Sequence, residues 1–245
     1  LWDERKAIAL QAHCSGKPGL VEEESKPTTQ SSPQLYDLTT LQREANSRFG
    51  FSARNTLGLA QALYEKHKVL TYPRTDARCL PEDYLGTVGD TLEMLSDLST
   101  SGGAYATFAK TVLKNNWVKP NKRIFNNEKI SDHFAIIPTL QMPRHLSEPE
   151  AKIYDLVVRR FLAVFYPAAE YLQTTRITRI DSHAFKSEGK VLVSPGWLTV
   201  YGRTTQDEGA TLPAVTPSEQ VSTLDVHADA LQTKPPARFS EATLL

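Results

Sequence analysis

Tyr72, Arg74 and Asp76 stand at alternate positions of Thr71-Tyr72-Pro73-Arg74-Thr75-Asp76. Pro73 fixes its own backbone and biases Tyr72 toward an extended conformation. In an extended segment alternate side chains share a face, so the three project the same way if the extension holds throughout. A phenol with a pKa of about 10 is a poor nucleophile at neutral pH. A guanidinium beside it favours the phenolate and stabilises charge on a phosphate under attack. Asp76 is placed to hold Arg74. The same six residues also fit an exposed Tyr-Pro turn, and the hexapeptide alone leaves both readings open.

The flanks carry more. The segment from Leu41 to Glu65 leads through Val69-Leu70 into the hexapeptide, and Ser131-Asp132-His133-Phe134-Ala135-Ile136-Ile137-Pro138-Thr139 follows. Thr233-Lys234-Pro235-Pro236-Ala237-Arg238-Phe239-Ser240-Glu241-Ala242-Thr243-Leu244 comes last. In this order the three segments resemble the tyrosine, histidine and gate-closing motifs of type IA DNA topoisomerases. Tyr-Pro-Arg, Ala-Ile-Ile-Pro-Thr and Thr-Lys-Pro-Pro are more similar to topoisomerase III than to topoisomerase I. The resemblance covers nearly the whole chain.

That resemblance implies roles residue by residue. Tyr72 matches the family nucleophile, which forms a 5′-phosphotyrosine and releases a 3′-hydroxyl. Arg74 matches the neighbouring arginine that activates the phenol and clamps the phosphate. His133 matches the family histidine, with a role at the scissile region or in proton handling. Phe134 stands where topoisomerase I has a glutamate, so that neighbour's role does not carry over. The family's Mg²⁺ site lies in a separate toprim domain. Such a site is expected in the full-length enzyme and not within this chain, which has no Asp-x-Asp. No Gly-rich phosphate loop is present, so nothing in the sequence points to ATP.

The 245 residues suffice for one large or two medium domains. Mean hydropathy is −0.37, and the longest apolar run, Phe161 to Ala169, is too short to span a bilayer. The opening Leu1-Trp2-Asp3 and the stop at Leu245 read as cuts in a longer protein. Cys14 and Cys79 make neither a disulfide framework nor a zinc site, which fits a reducing cytoplasm. Net charge is zero, yet it is unevenly spread. Residues 43–78 carry +4 and residues 110–129 carry +5, while 80–100 hold five acids and no base. A basic face backed by an acidic one suits a phosphate backbone, although ordinary solvated helix surface has the same look. Arg48, Arg54 and Lys66 are the expected single-stranded DNA contacts beside the tyrosine. Phe49 and Phe51 read as core in preference to a base-stacking surface. The acidic run Glu22-Glu23-Glu24 reads as solvated.

The elements that must position these residues follow from periodicity. Residues 1–12 alternate weakly and predict a strand, and Gly16 to Pro33 reads as a loop. Thr39 is placed to cap a helix ending at Gly50, with Gln42 as its capping-box partner. Ser52 is placed to cap a second helix carrying Leu57, Ala60, Leu63 and Tyr64. Val69 to Tyr72 predicts a short strand. Helices are predicted over 81–98, 103–114 and 149–166, and strands over 171–180, 184–185, 190–193 and 221–231. The expected fold class is α+β: a helical, winged-helix-like tyrosine domain (32–168) inserted into a β-rich arch (1–31 and 169–245).

The whole implies a gate fragment of an enzyme that cuts and rejoins one DNA strand for relaxation or decatenation. Its implied partners are single-stranded DNA, an N-terminal toprim domain and the remaining gate-base domain of the same parent chain. No membrane is involved. A tyrosine recombinase needs His-x-x-Arg, and none of the six histidines has arginine at that spacing. A winged-helix single-stranded DNA-binding module with a structural tyrosine is the alternative.

Overall fold

The computed structural model describes residues 3–97, 103, 105–205, 212–216 and 218–245. The α+β chain divides into two units: a β-rich one (1–30, 169–195 and 204–237) and a helical one (31–168, 196–203 and 238–245). Residues 196–203 and 238–245 therefore group with the helices, although the linear reading put them in the second β segment.

In the β-rich unit, helix α1 (Glu4–Cys14) replaces the strand expected at the start. The Asp3 carboxylate accepts from the backbone N–H of Arg5 and Lys6, and this N-cap decides the conformation that weak alternation of Ile8 and Leu10 could not. Residues 1 and 2 lie outside the described ones. The expected loop is instead strand β1 (Pro18–Gln30). It pairs antiparallel with β2 (Ala169–Ile180), which pairs with β3 (His183–Ser194). A short β4 (Gln220–Ser222) closes the order β3-β2-β1-β4. Cross-strand partners override the poor local propensity of the glutamates. Glu23 lies opposite Arg176 and pairs with it at 2.6 Å, Arg179 reaches Glu22 at 3.4 Å, and the Ser25 and Thr174 hydroxyls meet at 2.9 Å. The strand expected over 221–231 stops at Ser222. Beyond it Leu224 and Leu231 are exposed and pack against nothing that would extend the strand.

In the helical unit, α2 (Leu38–Phe49) is capped two residues before the expected position. Asp37 is the N-cap and forms a reciprocal box with Thr40, whose N–H reaches the Asp37 carboxylate at 2.7 Å. A carboxylate displaces Thr39 here because it takes a second partner: the Arg78 guanidinium binds its other oxygen at 2.6 Å. Gly50, at φ 69°, ends α2 in the left-handed conformation that glycine adopts without strain. Ser52 caps α3 (Ala53–Glu65) as expected. Next come α4 (Leu85–Ser96), α5 (Ala106–Lys114) and α6 (Glu148–Ala163). Residues 98 and 104 of the expected helices lie outside the described ones. α6 is the core element, with Ile153, Leu156, Val157 and Phe161 buried, and α3 packs on it through Ala60 and Leu63. α4 and α5 face each other through Val88, Leu92, Leu95, Ala109 and Val112.

Gly196 turns the chain back onto the end of α6 at φ 48°. A Cβ there would stand 2.5 Å from the carbonyl oxygens of Pro167 and Ala168. The turn delivers Tyr201 to a buried polar cluster around Arg160. Its guanidinium donates to the Gln34 carbonyl (2.9 Å), the Tyr36 hydroxyl (3.0 Å), the Tyr201 hydroxyl (3.3 Å) and the Glu44 carboxylate. Burial pushes the Tyr36 phenol well above its ordinary pKa, so it stays a donor, and it donates to Glu44. The last helix, α7 (Glu241–Leu244), places the Glu241 carboxylate 2.7 Å from the Ala53 N–H at the start of α3.

Ser147 and Glu150 form the capping box of α6. The Ser147 hydroxyl and N–H donate to the Glu150 carboxylate at 2.7 and 2.8 Å, and His67 adds a third contact at 3.1 Å. The serine bonds lead in lowering the carboxyl pKa to about 2. A depressed carboxyl pKa stabilises the fold above the ordinary carboxylate range, and that stability is lost as the pH falls toward about 2. Ser147→Ala is expected to cost about 1 kcal/mol at pH 7. The difference from wild type in urea unfolding should shrink steadily below about pH 4.5. A penalty that is the same at pH 7 and pH 3 would contradict this account of the cap.

Candidate active site

The strand-like segment 69–80 carries the site. Leu70 forms a single antiparallel bridge to Pro138, so pairing is shorter than the expected strand. Flanking bonds complete it: Thr71 N–H to the Ile137 carbonyl and Thr139 N–H to the Val69 carbonyl, both 3.0 Å. Pro138 has no N–H, which limits the ladder there. Beyond Tyr72, burial alternates. Pro73, Thr75, Ala77 and Cys79 are buried, while Arg74, Asp76 and Arg78 are exposed. This is the period-two face that the spacing demanded.

Tyr72 is half-buried between two rings. Its ring centroid lies 4.2 Å from that of His133. It lies 5.4 Å from that of Tyr64, which it meets edge-to-face, a favoured arrangement for aromatic pairs. The Lys68 ammonium stands 5.5 Å from the Tyr64 ring, within the range of a cation–π contact. Tyr64 sits at a helical spacing that also suits core packing, so its place beside the phenol was not readable from periodicity. His133 is exposed and comes to Tyr72 from more than sixty residues away along the chain.

Arg74 is exposed, and its guanidinium makes a long 3.4 Å contact with the Gln61 side chain. It is not paired with Asp76. Asp76 instead accepts from the Ser131 hydroxyl at 3.3 Å, two residues before His133. Asp76 and Arg74 share a face, but consecutive exposed positions along an extended chain diverge enough for each to find a different neighbour.

The three expected DNA contacts differ. Arg48 pairs with Glu44 at 2.6 Å and lies 5.5 Å from the Tyr201 ring, so part of its charge is already neutralised. Arg54 and Lys66 are exposed on or beside α3. Phe49 and Phe51 are half-buried against each other at 5.4 Å. Elsewhere in the basic segments Lys122 is paired with Glu82, and Arg123 is bound to Ser32.

Among the described residues no group of three or more His, Cys, Asp or Glu side chains is arranged to hold a metal ion. The described residues thus offer no such cluster for Mg²⁺. Among the same residues no helix is long and apolar enough to cross a membrane.

A family model described as DNA topoisomerase matches residues 1–245, the full length of the chain. The chain belongs to the DNA topoisomerase family. Within it the chain is type IA and topoisomerase III-like. It is 43% identical over 235 residues to DNA topoisomerase 3 of Bacillus cereus, covering 92% of this chain and 31% of that protein. Against DNA topoisomerase 3 of Bacillus subtilis it is 42% identical over 245 residues, covering 96% and 33%. The chain thus spans about a third of the length of these relatives. A crystal structure of full-length topoisomerase I from Thermotoga maritima shares the fold over the whole chain, with a TM-score of 0.69 at 22% identity, this chain covering 39% of it.

Within this topoisomerase chain the motif residues divide into those that support the fold and those that do not. Arg74 is exposed and makes one long contact. A surface substitution of that kind, Arg74→Ala, is expected to change the unfolding free energy by about 0.5 kcal/mol or less. Thermal unfolding followed by circular dichroism checks this. A loss of several degrees would mean that the arginine supports the fold and is not held free for a ligand.

Proposed function

We propose that the chain is the strand-cutting segment of a DNA topoisomerase, with Tyr72 as the nucleophile. One observation carries the reading: the Tyr72 phenol lies between His133 and Tyr64, with Arg74 exposed on the same motif segment. The chain's place in the topoisomerase family supports it.

The Tyr72 oxygen attacks the phosphorus of a DNA phosphodiester. The bond from phosphorus to the 3′ oxygen breaks, leaving a 5′-phosphotyrosine and a free 3′-hydroxyl. The phenolic proton is lost in the first step, and the leaving oxygen gains one. Because the adduct is an ester of similar energy, the 3′-hydroxyl can attack it and reseal the strand without ATP. Arg74 neutralises the phosphate oxygens, and its planar fork suits two of them at once. His133 handles a proton or contacts the scissile region. Asp76 supports the His133 loop through Ser131 in place of holding Arg74. Arg54 and Lys66, with Arg48 in part, track the backbone of a single strand.

The parent protein relaxes or decatenates DNA by single-strand passage and works in the cytoplasm on the nucleoid, where its substrate lies. Mg²⁺ belongs to the parent enzyme, held by a toprim domain beyond the residues described. That domain and the remaining gate base are its partners in the parent chain.

In the full-length protein, Tyr72→Phe should bind single-stranded DNA with unchanged affinity and form no covalent adduct. Protein still attached to a DNA 5′ end after that change would overturn the assignment. Wild-type protein that binds DNA and never forms an adduct would favour a winged-helix binding module instead. Arg74→Lys should not restore normal cleavage, because lysine offers no planar fork. The expected loss is about 2–4 kcal/mol in the chemical step, the scale of one transition-state donor. Single-turnover cleavage of an oligonucleotide measures it, and a near wild-type rate would reduce Arg74 to a surface charge.

A further inference from the structure

The loop that presents His133 is held by very little of its own. Ile130 closes a short turn onto Asn127, and Ala135 is bonded to the Cys79 carbonyl at 3.0 Å. Between them, Ser131, Asp132 and His133 are exposed. Besides the 4.2 Å ring contact between His133 and Tyr72, three side-chain contacts among the described residues fasten this stretch. The Thr75 hydroxyl donates to the His133 carbonyl at 2.8 Å, the Ser131 hydroxyl donates to Asp76 at 3.3 Å, and the Phe134 and Tyr84 rings pack at 4.9 Å. Two of the three come from the motif that carries Tyr72.

Thr75 is itself well fixed. It is 8% exposed, and its carbonyl accepts from the Leu38 N–H at 3.0 Å at the start of α2. Its hydroxyl also accepts from the Ala77 N–H at 3.0 Å, which orients the hydroxyl proton toward His133. The donor thus stands on a rigid base and its partner on an exposed loop.

We infer that Thr75 is a positioning residue, which locks the His133 main chain so that the imidazole stays against the Tyr72 phenol, with the Ser131–Asp76 contact as a secondary tether. The inference rests on the proposed roles of Tyr72 and His133. A free loop would let the imidazole wander by an ångström or more, and misplacement of that size is costly to a reacting pair.

The test uses the full-length protein with Thr75→Val, Thr75→Ser, His133→Ala and the Thr75→Val/His133→Ala double variant. Cleavage of a single-stranded oligonucleotide is measured at saturation, and binding separately. Thr75→Val should slow cleavage by about 10- to 100-fold with affinity unchanged. Thr75→Ser, which keeps the hydroxyl, should recover most of the rate. In the His133→Ala background the valine should have little further effect, because the group being positioned is gone. Full additivity of the two changes, or a wild-type rate for Thr75→Val, would overturn the inference. If Thr75→Val does not fold, Ser131→Ala replaces it with a smaller loss of the same pattern. Imidazole NMR provides a readout free of catalysis. The His133 resonances should move and broaden in Thr75→Val while those of His183 stay in place. Unmoved His133 resonances would sink the inference even if Tyr72 proves to be the nucleophile. If no adduct forms in wild type, the functional reading fails while the NMR result still decides the positioning of His133.

Discussion

A buried guanidinium organises the helical unit. Arg160, near the end of α6, is only 8% exposed. Arginine has five N–H donors and no way to shed its charge. Burying such a group uncompensated is strongly unfavourable, so its surroundings must supply acceptors. They come from segments far apart in sequence: Gln34 and Tyr36 before α2, Glu44 within α2, and Tyr201 after the Gly196 turn. Each must reach the same point for any to be satisfied. The cluster thereby fixes the start of α2 relative to α6, a task that apolar packing alone leaves free to slide.

That placement is passed on to the site through the main chain. Tyr36, whose hydroxyl meets Arg160, bonds through its carbonyl to the Ile136 N–H at 2.8 Å. Asp37 caps α2 and binds Arg78, and Leu38 bonds to the Thr75 carbonyl. Three consecutive residues thus tie the strand of Tyr72 and the segment after His133 to one helix start. The tyrosine and histidine lie more than sixty positions apart in sequence, yet both hang from the same support. The face that carries Tyr72 and Arg74 stays free because the ties use main-chain groups and the Asp37–Arg78 pair, and none of them engages Tyr72 or Arg74.

What could be read from the chain follows from the range of the interactions involved. The alternation at Tyr72, Arg74 and Asp76, the Ser52 cap and the Gly50 stop are local, and all three are present in the fold. The Asp37 cap was hidden because its advantage over Thr39 depends on Arg78, forty-one residues on. β1 was hidden for the same reason. Glutamates disfavour strands until Arg176 of β2 arrives opposite Glu23 and Arg179 comes within reach of Glu22. At the site, the residue types were legible and their pairing was not. Asp76 next to Arg74 suggested an ion pair, but the nearer solution in space was Ser131.

The inward half of the motif was overlooked for a related reason. Reactive groups draw attention to the exposed positions, and Thr75 points the other way. Its side chain has no charge to interact with phosphate, and its hydroxyl is already engaged by a carbonyl. Yet a half-buried tyrosine proposed as the nucleophile on an irregular strand needs a rigid back, since chemistry between two loops is limited by how well the loops are held. The period of two that sends Tyr72 and Arg74 outward also sends Thr71 and Thr75 toward the neighbouring segment. There the Thr71 hydroxyl bonds to the Ala135 carbonyl and the Ile137 N–H, on the other side of His133 from its own nearest support. Threonine suits both places. Its branched Cβ favours the extended backbone, and its hydroxyl can donate and accept at once.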